Sequence, residues 1–168
     1  MVRAISNSSP LLHLSLIGRI DLLRRFSSVI IPPAVWHEVV EDGDDRPGVA
    51  EILLLRKEGC LSVIQPKNTD LLHLLENDLH RGEAESIVLA LEIEHDILLL
   101  DESEARRIAG SYNLNVTGVI GLLLRAKRDG HISSLDDEMA RLRNEGHFWI
   151  RESLYNYVIE SEKKMDDD

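Results

Sequence analysis

At 168 residues, with hydrophobic content of 43% and aromatics of only 4%, the chain suits one domain whose core is built from Leu, Ile, Val and Ala. A formal net charge of −11 argues against nonspecific coating of nucleic acid, which needs Lys and Arg on the phosphates. It leaves open an enzyme that meets phosphate through bound cations. The single cysteine, Cys60, excludes an internal disulfide and a cysteine-rich zinc site, and fits a reducing compartment.

In chain order, residues 2–6 read as a short apolar strand, left through Ser6-Asn7-Ser8-Ser9-Pro10. Two readings of that turn stay open. It is a strand-to-helix turn, with Asn7 bonding its own backbone, Ser9 capping and Pro10 first in the helix; or it holds a polar atom where a ligand binds. Helices over 10–16 and 19–26 flank Gly18, and a strand follows at 29–31. Pro32-Pro33 starts a helix over 34–41, and 42–47 is a charged surface connection. A helix over 49–58 stops at Gly59, before a strand at 61–65. Helices over 69–76 and 82–94 lead to Ile97-Leu98-Leu99-Leu100, an unbroken apolar run of the kind buried on both faces of a sheet. A helix over 102–112, a strand at 115–117 and helices over 119–128, 134–144 and 151–163 complete the chain.

Strands alternating with helices predict βαβ units and a parallel sheet, in one domain over 1–165 with a disordered acidic tail at 166–168. Apolar runs fall far short of the ~20 residues a membrane helix needs. Asn7, Pro10 and His13 interrupt any signal-peptide core, so the expectation is a cytoplasmic protein with no membrane contact.

On this frame Asn7, Glu38, Asp101 and Thr117 fall toward the carboxyl ends of strands, where open α/β sheets bind ligands. Glu83 opens the helix before the fourth strand. Hard oxygen groups gathered there suit Mg²⁺ or Mn²⁺, which polarise a phosphate and activate water. Without a cation the acids would repel, by about 4 kcal/mol for two charges ~4 Å apart at a surface-like dielectric. Each acid has a structural alternative. Asp101 with Glu104 reads as a capping box, Glu83 as an acid favoured by a helix dipole, and Glu38 as a solvated side chain. Only their shared placement points to a site.

Other chemistry finds no support. The chain lacks GxxxxGK[ST], GxGxxG and GxSxG, and its seven histidines show no metal-site spacing; His73 and His80 read as surface residues. A phosphoacceptor receiver domain wants paired acids after the first strand, where this chain has Asn7-Ser8-Ser9.

The stretches 5–11 (ISNSSPL), 31–35 (IPPAV) with Glu38, 81–87 (RGEAESI), 98–101 (LLLD) and 116–123 (VTGVIGLL) together resemble the PIN-domain superfamily. The match is closest to a prokaryotic branch of nucleic-acid-binding proteins related to toxin ribonucleases, and it runs from residue 4 to about 160. The resemblance implies a three-layer α/β/α fold with a central, mostly parallel sheet of about five strands, and Mg²⁺- or Mn²⁺-dependent ribonuclease activity on RNA or another single strand. It places Asn7, Glu38, Glu83 and Asp101 as catalytic metal ligands, with Glu85 as the alternative third acid. Ser9, Glu104 and Thr117 become polar neighbours. The departure is Asn7, where most of the superfamily has Asp; an amide oxygen still ligates, with one charge fewer, so weak or absent catalysis is the competing expectation. Arg106, Arg107, Arg125, Lys127 and Arg128 are candidates to hold the substrate backbone, or else solvated helix-surface charges. An antitoxin partner and a homodimer are further implications, with Leu122, Leu123, Tyr155 and Tyr157 as interface candidates or core.

Overall fold

The computed structural model describes residues 2–43 and 45–166. Five strands, β1 (Arg3–Ser6), β2 (Ser28–Ile31), β3 (Leu61–Val63), β4 (Ile97–Leu99) and β5 (Val116–Thr117), form one sheet in the order β3-β2-β1-β4-β5. Every pairing is parallel, with Ala4 opposite both Val29 and Ile97. Because side chains alternate across a strand, each strand feeds two cores. Ala4, Val29, Ile97 and Leu99 join one apolar cluster, while Ile5, Ile30, Leu98 and Leu100 join the other.

The helices supply the outer layers. On the first face lie α1 (Ser8–Leu16), a 3₁₀ turn (Ile20–Arg25), α3 (Val49–Lys57), α7 (Val119–Arg128), α8 (Leu135–Asn144) and α9 (Glu152–Asp166). On the second lie α4 (Thr69–Leu75), α5 (Arg81–Glu92) and α6 (Ser103–Ser111). The result is the expected α/β/α sandwich. The helix expected over 34–41 is two pieces: α2 (Pro33–Trp36) continues as a π-helical turn, His37–Glu41. Leu122 and Leu123 are core; Tyr155 lies against the Arg143 guanidinium, 4.0 Å from ring centre to Cζ.

Glu162 of α9 ties the carboxyl-terminal helices together. It accepts the Leu135 and Asp136 N–H groups that open α8, at 2.6 and 3.2 Å, and lies 3.3 Å from Lys127 Nζ of α7. Of the acidic tail, Asp166 closes α9, and residues 167–168 lie outside the described residues. Among the described residues no helix is long and apolar enough to cross a membrane.

Candidate nuclease site

The strand order sets the place. From β1 the sheet grows one way through β2 and β3 and the other way through β4 and β5. The crevice between the carboxyl ends of β1 and β4 is therefore the topological switch point, where such sheets bind ligands. Asn7 sits in it, its N–H bonded to Leu99 O at 3.0 Å. Asn7 is the N-cap residue of α1, yet its side chain makes no capping bond. Instead Nδ2 donates to Glu102 Oε2 at 3.3 Å. Ser8 donates its hydroxyl to Glu38, and Ser9 donates its own to Glu102. The helix thus begins at Ser8 without a Ser9 cap, and Pro10 takes its third position, where a missing N–H leaves no intrahelical bond unmade.

Three carboxylates surround this turn. Glu38 comes from the π-helical turn after β2, a feature that recurs at functional sites. Glu102 follows the end of β4. Glu83 lies in the first turn of α5, where its Oε2 accepts the His80 N–H at 3.0 Å in a capping box. Asn7, Ser8, Ser9, Glu38, His80, Arg81, Glu83 and Glu102 line one cleft of about 340 Å³. Gly82 permits the approach of α5: a Cβ there would stand 3.1 Å from both Asn7 Oδ1 and Glu38 Oε1. Burial raises the Glu83 carboxyl above its ordinary pKa, and the nearby Glu102 and Glu38 charges add to the rise, against the His80 N–H bond.

Among the described residues no three Asp, Glu, His or Cys side chains stand converged as ligands. Each cleft acid bonds a protein donor instead: Ser8, Ser9, Asn7 or the His80 N–H. The donor set nevertheless fits Mg²⁺ or Mn²⁺. It offers carboxylates and an amide oxygen, all hard donors, and the repulsion registered at Glu83 is what a cation would relieve.

The family model of the PIN domain matches residues 3–164. The chain belongs to the PIN-domain family. Membership points to a nuclease-type fold and to nucleic acid as ligand, and PIN domains generally use divalent metal ions. Comparisons with curated proteins and with solved structures gave no match.

On this PIN domain the other sequence candidates lie elsewhere. Asp101 is absent from the lining of the acid cleft: Oδ2 bonds His13 Nδ1 at 2.7 Å and Oδ1 accepts the Val119 N–H at 2.8 Å. Nor is it the cap of α6, whose N-cap residue is Glu102. The cleft acid at the end of β4 is therefore Glu102. Asp101 and Glu102 are neighbours in the turn between β4 and α6, and the motif drew attention only to Asp101. Ser8 was also missed, since a short hydroxyl beside Asn7 carries no metal-site spacing; His80 is exposed, as expected, and stands at the rim of the cleft.

Glu85, the alternative to Glu83, accepts the Ala34 N–H and Arg81 Nε, both at 2.9 Å, in an adjoining pocket. Thr117 lines a separate groove with Asp101. Glu104 and Arg107 bond each other on the exposed face of α6. Arg106 donates to Leu100 O at 3.0 Å. Three basic candidates, Arg125, Lys127 and Arg128, lie away from the cleft. Arg125 lies near the amino-terminal ends of β1 and β2, sharing a small pocket with Val2, Arg25, Phe26 and Arg128, because α7 runs back down from β5. Lys127 is held between Ser133 O and Glu162.

Proposed function

We propose that the chain is a Mg²⁺- or Mn²⁺-dependent ribonuclease that hydrolyses phosphodiester bonds at the cleft between β1 and β4. The observation that supports it most is the meeting of Asn7, Glu38, Glu83 and Glu102 around one depression. Glu38 and Glu102, with the Asn7 amide oxygen, would hold the cation. The cation would polarise the phosphate and favour ionisation of water. Ser8 and Ser9 orient the two carboxylates through their hydroxyls. Glu83, held toward its protonated form, can keep or release a proton near the reacting group. The family resemblance extends the proposal to a toxin of a toxin–antitoxin pair, a homodimer and the cytoplasm.

Cleavage of an end-labelled RNA tests the reading. With Mn²⁺ the wild type should cut, and EDTA should stop it. Glu38→Gln and Glu102→Gln should each lower kcat/KM by about 100-fold or more, the range for removing an oriented electrostatic group. Full activity in Glu102→Gln would remove that carboxylate from the reaction and return Asp101 to its place.

A second reading, a binding module with weak or no catalysis, is favoured by the amide at Asn7 and by its bond to Glu102. Asn7→Asp separates the two. Activity that arises only in this variant would support the binding module.

A further inference from the structure

A groove of about 790 Å³ opens on the other side of the β4 end. Glu102 faces the acid cleft, whereas its chain neighbours Asp101 and Ser103 line the groove, so the two depressions meet across one residue. Ile120 and Leu124 of α7 and Val158 of α9 give the groove an apolar floor. Over it stand Trp149, 77% exposed, and Tyr157, 65% exposed, the most exposed of the large hydrophobic side chains described. The chain has only two Trp, three Tyr and two Phe, so leaving two such rings in water beside the candidate site calls for a ligand. Neighbouring Phe148 anchors the segment, its ring edge-on to His13 at 4.7 Å between centroids, and His13 bonds Asp101.

The charge of the groove identifies its occupant. Asp101, its one acid, is taken up by His13 and the Val119 N–H. Arg151 has no acidic partner among the described residues, and Arg106 uses one nitrogen on Leu100 O, leaving its other N–H groups for a ligand. Within a chain of net charge −11 this is a locally cationic, aromatic surface. Flat rings flanked by guanidinium groups suit unstacked bases joined by phosphates; a duplex hides its base faces and cannot use the rings.

We infer that the groove binds the single-stranded stretch of RNA flanking the cleaved phosphate, with bases stacked on Trp149 and Tyr157 and phosphates met by Arg106 and Arg151. The identity of the strand rests on the ribonuclease reading above.

The test is fluorescence anisotropy of a labelled single-stranded oligoribonucleotide with the full chain, in EDTA and again with Ca²⁺. The single strand should bind more tightly than a duplex of the same sequence. Trp149→Ala should weaken it by about 5- to 150-fold, the range for losing one stacked base, and Trp149→Phe should restore most of the affinity. Arg151→Ala should lower the slope of log Kd against log salt by about 0.7. In cleavage assays Trp149→Ala should raise KM and leave kcat. Unchanged affinity in Trp149→Ala, with cleavage intact, overturns the groove and leaves the nuclease standing. Binding that depends on Trp149, in a wild type that never cleaves, supports the groove and overturns the nuclease. No binding in either buffer overturns the groove. So does a dimer that Trp149→Ala or Tyr157→Ala splits in sedimentation while oligonucleotide affinity stays the same.

Discussion

At the scale of single residues, the cleft is governed by which acids hold a charge. Glu83 has a folded-state pKa raised by burial and by two neighbouring carboxylates. The fold therefore binds its proton more tightly than the unfolded chain does. Its contribution to stability is complete below the ordinary Glu pKa and is lost as pH rises through the folded value. Glu83→Gln keeps an acceptor for the His80 N–H and removes the charge. Without metal, its melting temperature should match the wild type near pH 4 and exceed it by about 2–4 °C near pH 8, the shift that about 1 kcal/mol makes in a domain of this size. Equal melting curves at both pH values would show that the fold does not penalise the Glu83 charge. The same crowding explains what the sequence disclosed. Each acid alone had a structural reading, and what stood out was their shared placement toward strand ends. Whether Asp101 or Glu102 faces the cleft depended on side-chain direction at the end of β4, which a motif does not encode.

Among elements, the first turn of α5 carries the most site information in the fewest atoms. Gly82 sits inside that helix, where Ala ordinarily gains about 0.5–1 kcal/mol. Its added Cβ would press on Asn7 Oδ1 and Glu38 Oε1 at 3.1 Å and on Val35 Cγ2 at 3.4 Å. Propensity and crowding oppose each other in stability, whereas only crowding acts on the oxygens. Gly82→Ala should thus leave the melting temperature within about 2–3 °C of wild type while weakening Mn²⁺ binding about 10- to 100-fold, as disturbing the groups around metal ligands does. Calorimetric titration with Mn²⁺ beside thermal melts reads both. Glu162 of helix α9 is the opposite case, structural rather than functional. Glu162→Ala would strip two α8 N–H groups of their acceptor and Lys127 of a carboxylate. A loss of about 2–3 kcal/mol, or roughly 5–10 °C, should follow in melting experiments, without any change in Mn²⁺ affinity. Glu83 was legible in advance at the start of α5, whereas the close approach at Gly82 and the bonds of Glu162 were not. Periodicity located both helices, but Glu162 reads in sequence as one more surface charge, and the π-helical turn at Glu38 reads as ordinary helix.

For the molecule as a whole, short apolar strands between helices were enough to predict a parallel sheet, since only strands covered on both faces tolerate runs such as 97–100. The strand order was not contained in that pattern; it decides that β1 and β4 are neighbours and that their ends frame a crevice. The order also places acids from residues 38, 83 and 102 together in a chain already at −11. Such a fold works against itself electrostatically at low salt, and two kinds of relief can be told apart. Monovalent salt screens all charges over about 10 Å at 0.1 M, so NaCl should raise the melting temperature gradually and equally in the wild type and in a variant carrying both Glu38→Gln and Glu102→Gln. A cation held at the cleft acts by mass action, adding RT ln(1 + [L]/Kd), about 2.7 kcal/mol at a hundredfold excess over Kd. At matched ionic strength Mn²⁺ should therefore stabilise the wild type by a further 5–10 °C, roughly the shift that free energy makes at this size, and should give the double variant no more than NaCl does. An equal Mn²⁺ response in both proteins would assign the effect to diffuse screening and leave the crevice without a bound ion.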